Sequence, residues 1–136
     1  MGIESLILLD THVLIWWLTE SPGLSNAAKR AIRRHSGPGE IAVSAISVLE
    51  IATAARRDRL QFTVPVEQWL SDMRHIPQLR IEPVSADIAA LAGSFVDPMH
   101  GDPADRMIVA TATVLGLPLV TADERLRSLP ALTTIW

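Results

Sequence analysis

Ile3-Glu4-Ser5-Leu6-Ile7-Leu8-Leu9-Asp10-Thr11-His12-Val13-Leu14-Ile15-Trp16-Trp17-Leu18 reads as a buried strand, an acidic joint and an apolar helix. Residues 3–9 lead almost directly into a strand, with four apolar residues from Leu6 to Leu9 immediately before the acid. Asp10-Thr11 then opens a helix expected from His12 to about Leu18. Asp10 is thereby placed at the edge of the core, where it can act as the helix N-cap or as a ligand.

The same alternation continues outward. Ser25 is expected to cap a helix over residues 26–35, and Gly37-Pro38-Gly39 breaks it. Ile41-Ala42-Val43 reads as a short strand. Ser44 or Ser47 caps a long helix through Ala55, which ends in Arg56-Arg57-Asp58-Arg59. Val66 to about His75 reads as a helix with Trp69 on its inner face, and Arg80 to Val84 as a strand. Ser85 caps a helix to about Phe95. Asp102-Pro103 is an N-cap followed by proline at the first helical position, and that helix runs to Leu115 and stops at Gly116. Leu117 to Val120 is expected as a strand, followed by a short helix after Asp123 and a last strand over Thr133 to Trp136. Strands alternating with helices define an α/β class: a central parallel sheet flanked by helices, in one domain over residues 1–136. In such folds, sites form just past the carboxyl ends of strands, where Asp10 and Asp123 both fall.

Composition narrows the chemistry. The 136 residues suffice for one core, and Ala, Leu, Ile and Val must fill it because aromatics make up only 4% of the chain. There is no cysteine, which excludes disulfides, zinc–thiolate sites and a cysteine nucleophile. No apolar stretch reaches the roughly 20 unbroken residues of a membrane span, since Asp10 and Glu50 interrupt the two longest. The N-terminus lacks the basic flank and cleavage site of a secretion signal. A cytoplasmic protein with no membrane partner is the expectation. The net charge of −3 becomes +1 if four carboxylates are set aside as neutralised by cations, so it does not argue against a nucleic-acid partner. The basic side is almost wholly arginine, with Lys29 the single lysine.

Four acids stand out from the fifteen by context. Asp10 has been placed. Glu50 shares a mainly apolar helix face with Ile46, Thr53 and Ala54. It would be the third residue of a capping box if Ser47 were the cap, and one turn further in if Ser44 were. Asp105 lies in the first turn of its helix, as a ligand or simply as a favourable charge at the positive helix end. Asp102 reads as a cap or a supporting partner. Asp123 is a ligand candidate that could instead cap the last short helix. Thr121 could orient a carboxylate or hold a water. Asp97 and Glu124 are expected to be solvated. Carboxylates gathered together repel unless cations neutralise them. Oxygen ligands without cysteine or a spaced histidine pair select Mg²⁺ or Mn²⁺, and phosphodiester hydrolysis is a natural use of such a site.

Other constellations fall short. His12, His35, His75 and His100 have no paired metal spacing and are expected at the surface or at caps. Trp16 and Trp17 are expected in the core or at an interface. Arg56, Arg57 and Arg59 complement a helix C-terminus, with a contact to RNA phosphate as the minority reading. No nucleophile elbow, P-loop or dinucleotide fingerprint occurs. An aspartyl phosphatase would want a second Asp two residues after Asp10, where His12 stands.

Four blocks in order carry a resemblance: Leu8-Leu9-Asp10-Thr11-His12; Ser44-Ala-Ile-Ser47-Val-Leu-Glu50-Ile; Asp102-Pro-Ala-Asp105-Arg106-Met-Ile-Val-Ala110-Thr-Ala112; and Val120-Thr121-Ala-Asp123. Together they resemble PIN domains, with the nearest likeness to VapC-type toxins of toxin–antitoxin pairs. The likeness spans essentially the whole chain. It implies a Mg²⁺-dependent endoribonuclease, with Mn²⁺ able to substitute, often homodimeric and held inactive by a VapB-type antitoxin. It places the acidic positions at Asp10, Glu50, Asp105 and Asp123, with Thr11, Asp102 and Thr121 in support. On this expectation Asp10 and Asp105 bind the cation and Glu50 and Asp123 complete the cage. Related sequences often carry Phe where Ala104 stands and Arg where Gly101 stands, so local contacts differ here. A PIN-like module without activity, binding RNA or protein, is the alternative.

Overall fold

The computed structural model describes residues 6–96, 99 and 101–136. The expectations for residues 3–5, Asp97 and His100 lie outside the described residues. The described elements are β1 (Ile7–Leu9), α1 (Thr11–Leu18), α2 (Asn26–Arg34), β2 (Ile41–Ser44), α3 (Ala45–Arg56), α4 (Val66–Met73), β3 (Leu79–Glu82), α5 (Ala86–Ser94), α6 (Pro103–Leu115), β4 (Leu119–Val120), α7 (Glu124–Arg127) and β5 (Thr134–Ile135).

The five strands form one parallel sheet in the order β3-β2-β1-β4-β5. β1 is its centre, with Leu8 opposite Ala42 on one side and Leu119 on the other. A strand buried on both faces must be apolar at every position, and Ile7, Leu8 and Leu9 are all buried. The two-residue period then sorts them. Ile7, Leu9, Ile41, Val43 and Val120 pack with Val13 and Leu14 of α1, Ala28 and Ile32 of α2, Ile51 of α3 and Met73 of α4. Leu8, Ala42 and Leu119 pack on the opposite face with Ile108, Val109 and Ala112 of α6 and Leu126 of α7. α5 covers α6 through Ile88, Ala92 and Ala110. Each large side chain removed from water contributes about 1.5–3 kcal/mol.

Several boundaries move for local reasons. α1 begins at Thr11, with Asp10 as its N-cap. β3 runs from Leu79 to Glu82 rather than Arg80 to Val84; Pro83, with no N–H to donate, cannot extend the ladder. β4 starts at Leu119 rather than Leu117. The Leu117 N–H is still bound to the Ala112 carbonyl at 2.9 Å, so Leu117 closes α6 instead of opening the strand. α4 ends at Met73, short of His75. Trp69 lies half-buried, stacked on Phe62 with ring centroids 4.3 Å apart.

Gly116 ends α6 at φ 66° and ψ 35°, with open space where a Cβ would stand. The cost of a side chain there is therefore backbone strain alone. Gly116→Ala should lower stability by about 1 kcal/mol in urea denaturation, and an unchanged midpoint would contradict the left-handed cap.

Candidate active site

The chain leaves β1 to build β2 and β3 on one side, then returns to build β4 and β5 on the other. That reversal opens a crevice past the carboxyl ends of β1 and β4. Asp10 follows β1 directly, Thr121 follows β4 directly, and β2 runs straight into α3, which carries Glu50.

Asp10 is buried, at 5% exposure. An ionised carboxylate there needs donors. Its Oδ1 accepts the Thr11 N–H at 2.8 Å, and its Oδ2 accepts the Thr121 hydroxyl at 2.7 Å. Each oxygen has two lone pairs, so capping and ligation are compatible at this residue. Thr121 itself is fully buried. Its Oγ1 also accepts the Asp123 N–H at 3.1 Å, so one hydroxyl links the loops that carry Asp10 and Asp123.

Thr11 makes the corresponding link to α3. Its hydroxyl donates to Glu50 Oε1 and lies 2.8 Å from Ser47 Oγ. The one Thr11 hydroxyl hydrogen is committed to Glu50, so Ser47 is the donor in the second pair. Ser44, not Ser47, caps α3, accepting the Ile46 N–H at 3.1 Å. Glu50 is therefore in the second turn and the capping box does not form. Burial raises the Glu50 pKa above the usual carboxylate range. The Thr11 hydrogen bond opposes that rise, the charges of Asp10 and Asp102 add to it, and His12 offsets part of it.

Asp102 caps α6, its Oδ1 accepting the N–H groups of Ala104 at 2.9 Å and Asp105 at 3.2 Å. Asp105 follows in the first turn with its side chain 16% exposed. Burial, and then the charges of Asp102, Asp10, Glu50 and Asp123, push its pKa up to about 7. A helix N-terminus favours a carboxylate; here burial and four like charges outweigh it. Sequence-distant acids from four loops and helices thus share one electrostatic neighbourhood. Among the described residues, no three carboxylate or imidazole side chains already enclose a cation position.

Asp123 caps α7, with Oδ1 accepting the Arg125 N–H at 2.9 Å. Its side chain also pairs with the Arg125 guanidinium, Nη2 to Oδ2 at 3.1 Å and Nε to Oδ1 at 3.4 Å. Burial raises the Asp123 pKa, but the hydrogen bonds and charge of Arg125 outweigh it and hold the carboxyl below its ordinary value.

A groove of 840 Å³ leads away from Glu50 and Asp102, past Trp16 and Leu49, to Arg57 and Arg59. Trp16 is half-buried, packed on the core and against Trp136 at 5.8 Å. His35 and His75 each set a ring nitrogen against the carbonyl four residues earlier, at 2.6 and 2.7 Å. His12 is exposed at the groove.

Three contributors had no role read for them, or the wrong one, in the sequence. Ser47 supports Thr11 rather than capping; its position three before Glu50 on one helix face was the available signal. Arg125 stands two residues past a cap carboxylate. Arg106 donates to the Ala92 carbonyl at 2.9 Å and the Phe95 carbonyl at 2.6 Å, with its guanidinium 6.0 Å from the Phe95 ring centre. It fastens the end of α5 to the start of α6, and only tertiary contact reveals that.

Comparison with known proteins agrees with this architecture. The family profile described as PIN domain matches residues 7–132. The chain is 45% identical to Ribonuclease VapC22 of Mycobacterium tuberculosis over 134 residues, covering 96% of this chain and 98% of that protein. Among solved structures it is similar to VapBC2 from Rickettsia felis bound to a promoter DNA fragment, at a TM-score of 0.69 and 16% identity over 95% of this chain and 96% of that one. It is also similar to FitAcB from Neisseria gonorrhoeae, at a TM-score of 0.67 and 24% identity over the same shares of the two chains. At these identities the structural likeness concerns the fold.

Proposed function

The chain belongs to the PIN domain family, and from that membership we propose that it is a metal-dependent endoribonuclease acting as the toxin of a toxin–antitoxin pair. The observation that carries the reading is the gathering of Asp10, Glu50, Asp105 and Asp123 past the carboxyl ends of β1 and β4, linked through Thr11, Thr121 and Arg125, where burial and like charges raise the Asp105 carboxyl. Such a cluster lowers its free energy by taking up a cation. The 45% identity to a protein named a ribonuclease supports the substrate class.

The residues present fit Mg²⁺, with Mn²⁺ as a substitute. The donors are all oxygens and the chain has no thiol. Mg²⁺ keeps several waters and uses one or two carboxylates together with substrate phosphate, so a preformed three-carboxylate cage is not required. Asp10 and Asp105 would hold the cation, with Glu50 and Asp123 completing its surroundings. When bound, it would neutralise charge on the phosphodiester and lower the pKa of a water.

The remaining work falls to the chain. Thr11 and Thr121 hold both oxygens of Asp10 in one orientation. Thr11, backed by Ser47, fixes Glu50. Asp105, pushed up to about 7, is only partly ionised at neutrality and would be fully ionised as a ligand. Thr121→Val keeps the volume and removes the hydroxyl, leaving Asp10 Oδ2 without that donor. Cation affinity should fall about 10- to 100-fold, as measured by titration calorimetry; unchanged affinity would contradict the positioning role.

We place the RNA strand along the groove, with Arg57 and Arg59 taking phosphates. Arg57→Ala with Arg59→Ala should weaken RNA binding and reduce the slope of log affinity against log salt by about 1–2. An unchanged slope would remove those residues from the interface. A VapB-type antitoxin, a homodimer and a cytoplasmic setting complete the proposal, with residues 1–136 as one domain. No helix among the described residues is long and apolar enough to cross a membrane. Titrating the purified chain with Mn²⁺ tests the reading against an inactive binding module: saturable heat release supports the nuclease, and no binding supports the inactive module.

A further inference from the structure

We propose that Arg125 is a positioning residue that competes with the cation: its guanidinium is a resident counter-charge on the Asp105–Asp123 side of the site, and it sets how tightly a divalent ion binds there. The inference rests on the reading of these acids as a cation site.

Three observations support it. The contact is a two-point fork onto Asp123, with Nη2 at 3.1 Å and Nε at 3.4 Å. The same Nη2 lies 3.9 Å from Asp105 Oδ2, so one guanidinium bridges two of the proposed ligands. The Arg125 side chain is 65% exposed, so it can leave this position without disturbing the core. Its backbone N–H, which Asp123 caps, stays in place whatever side chain it carries.

The physical consequence is competition. A divalent cation drawn to Asp105 and Asp123 meets a positive charge already there. It must displace the guanidinium or bind beside it against Coulomb repulsion. The retained fork also satisfies Asp123 while the cation is absent. Arg125 thus lowers cation affinity while steadying the cation-free site. Asp10 and Glu50, in contrast, are held by the hydroxyls of Thr121 and Thr11, which carry no charge to compete with a cation.

The test is Mn²⁺ titration calorimetry on the full chain, comparing wild type, Arg125→Ala and Arg127→Ala. Arg127 is an exposed arginine of the same short helix and controls for loss of one positive charge. Arg125→Ala should bind Mn²⁺ roughly three- to tenfold more tightly than wild type, and Arg127→Ala should stay within about twofold, because an exposed charge further off is screened. If wild type binds and Arg125→Ala binds equally or more weakly, Arg125 is not a competitor and the inference is overturned while the cation site stands. An equal gain in both variants also overturns it, since net charge alone would then explain the change. If none of the three proteins binds Mn²⁺, the cation-site reading itself fails and takes this inference with it.

Discussion

Asp10→Asn should reduce RNA hydrolysis by on the order of 10³-fold, because several kcal/mol of charge stabilisation are lost and about 1.4 kcal/mol corresponds to each tenfold in rate. The substitution preserves shape, so the effect is electronic. Asn presents one oxygen and one NH₂ group. Asp10 accepts from a donor on each oxygen, Thr11 N–H on one and Thr121 hydroxyl on the other. One of those contacts must therefore be lost or reversed, at roughly 1–3 kcal/mol if a buried donor is orphaned. Relief of repulsion with Glu50 and Asp105, both of which feel the Asp10 charge, offsets part of that cost. The variant should fold, with a melting temperature close to wild type, and should lose cleavage under single-turnover conditions. Wild-type activity in Asp10→Asn would remove the central ligand from the account.

The second large effect is a pH-dependent response to cations. Asp105 titrates at about 7 in the folded chain against an ordinary value of 3.8. A raised carboxyl pKa means that the folded state binds the proton more tightly than the unfolded state does. Stability therefore falls as pH rises between those two values. Glu50 shifts in the same direction. Asp123 shifts downward, so its contribution is lost only as pH falls below the ordinary carboxylate range. In EDTA, the melting temperature should drop between pH 5 and pH 8. Mg²⁺ or Mn²⁺ should reverse this, because a cation bound at these acids would need them ionised. At a hundredfold excess over Kd the gain is about 2.7 kcal/mol, several degrees for a chain of this size. That gain should be larger at pH 8 than at pH 5.5, and Asp105→Asn should flatten the pH dependence. A cation effect equal at both pH values would show that Asp105 is not the group being titrated.

Legibility in the sequence followed the physics of each element. The opening stretch was readable because a strand buried on both faces leaves little choice of residue, and the structure places β1 at the centre of the sheet. Asp102-Pro103 and Gly116 marked both ends of α6 because proline and a left-handed glycine have few other uses. The two-residue strands β4 and β5 were harder to bound, since Leu117 is claimed by the helix cap and not by its own propensity. At the site, Asp10 and Glu50 were visible as charges interrupting apolar runs, and Asp105 and Asp123 by their places at a helix start and past a strand. Their partners were less so. Asp10 and Thr121 are 111 residues apart and Thr11 and Ser47 are 36 apart, and no local pattern signals such pairs. The choice between Ser44 and Ser47 as cap turned on where β2 ends, which is set by its pairing with β1 and β3. Arg125 carried no role in the sequence, because nothing local separates an arginine forked onto a cap carboxylate two residues earlier from a solvated one.

The central claim is that the carboxylates past β1 and β4 serve cation-dependent cleavage of RNA. The most direct measurement incubates the purified, partner-free chain with RNA in Mg²⁺, then in EDTA, then with Mg²⁺ restored in excess. The account predicts internal cleavage in Mg²⁺, loss in EDTA and recovery on restoration. Cleavage that persists undiminished in EDTA, or RNA left intact in Mg²⁺ by a chain that binds Mn²⁺ normally, would contradict it.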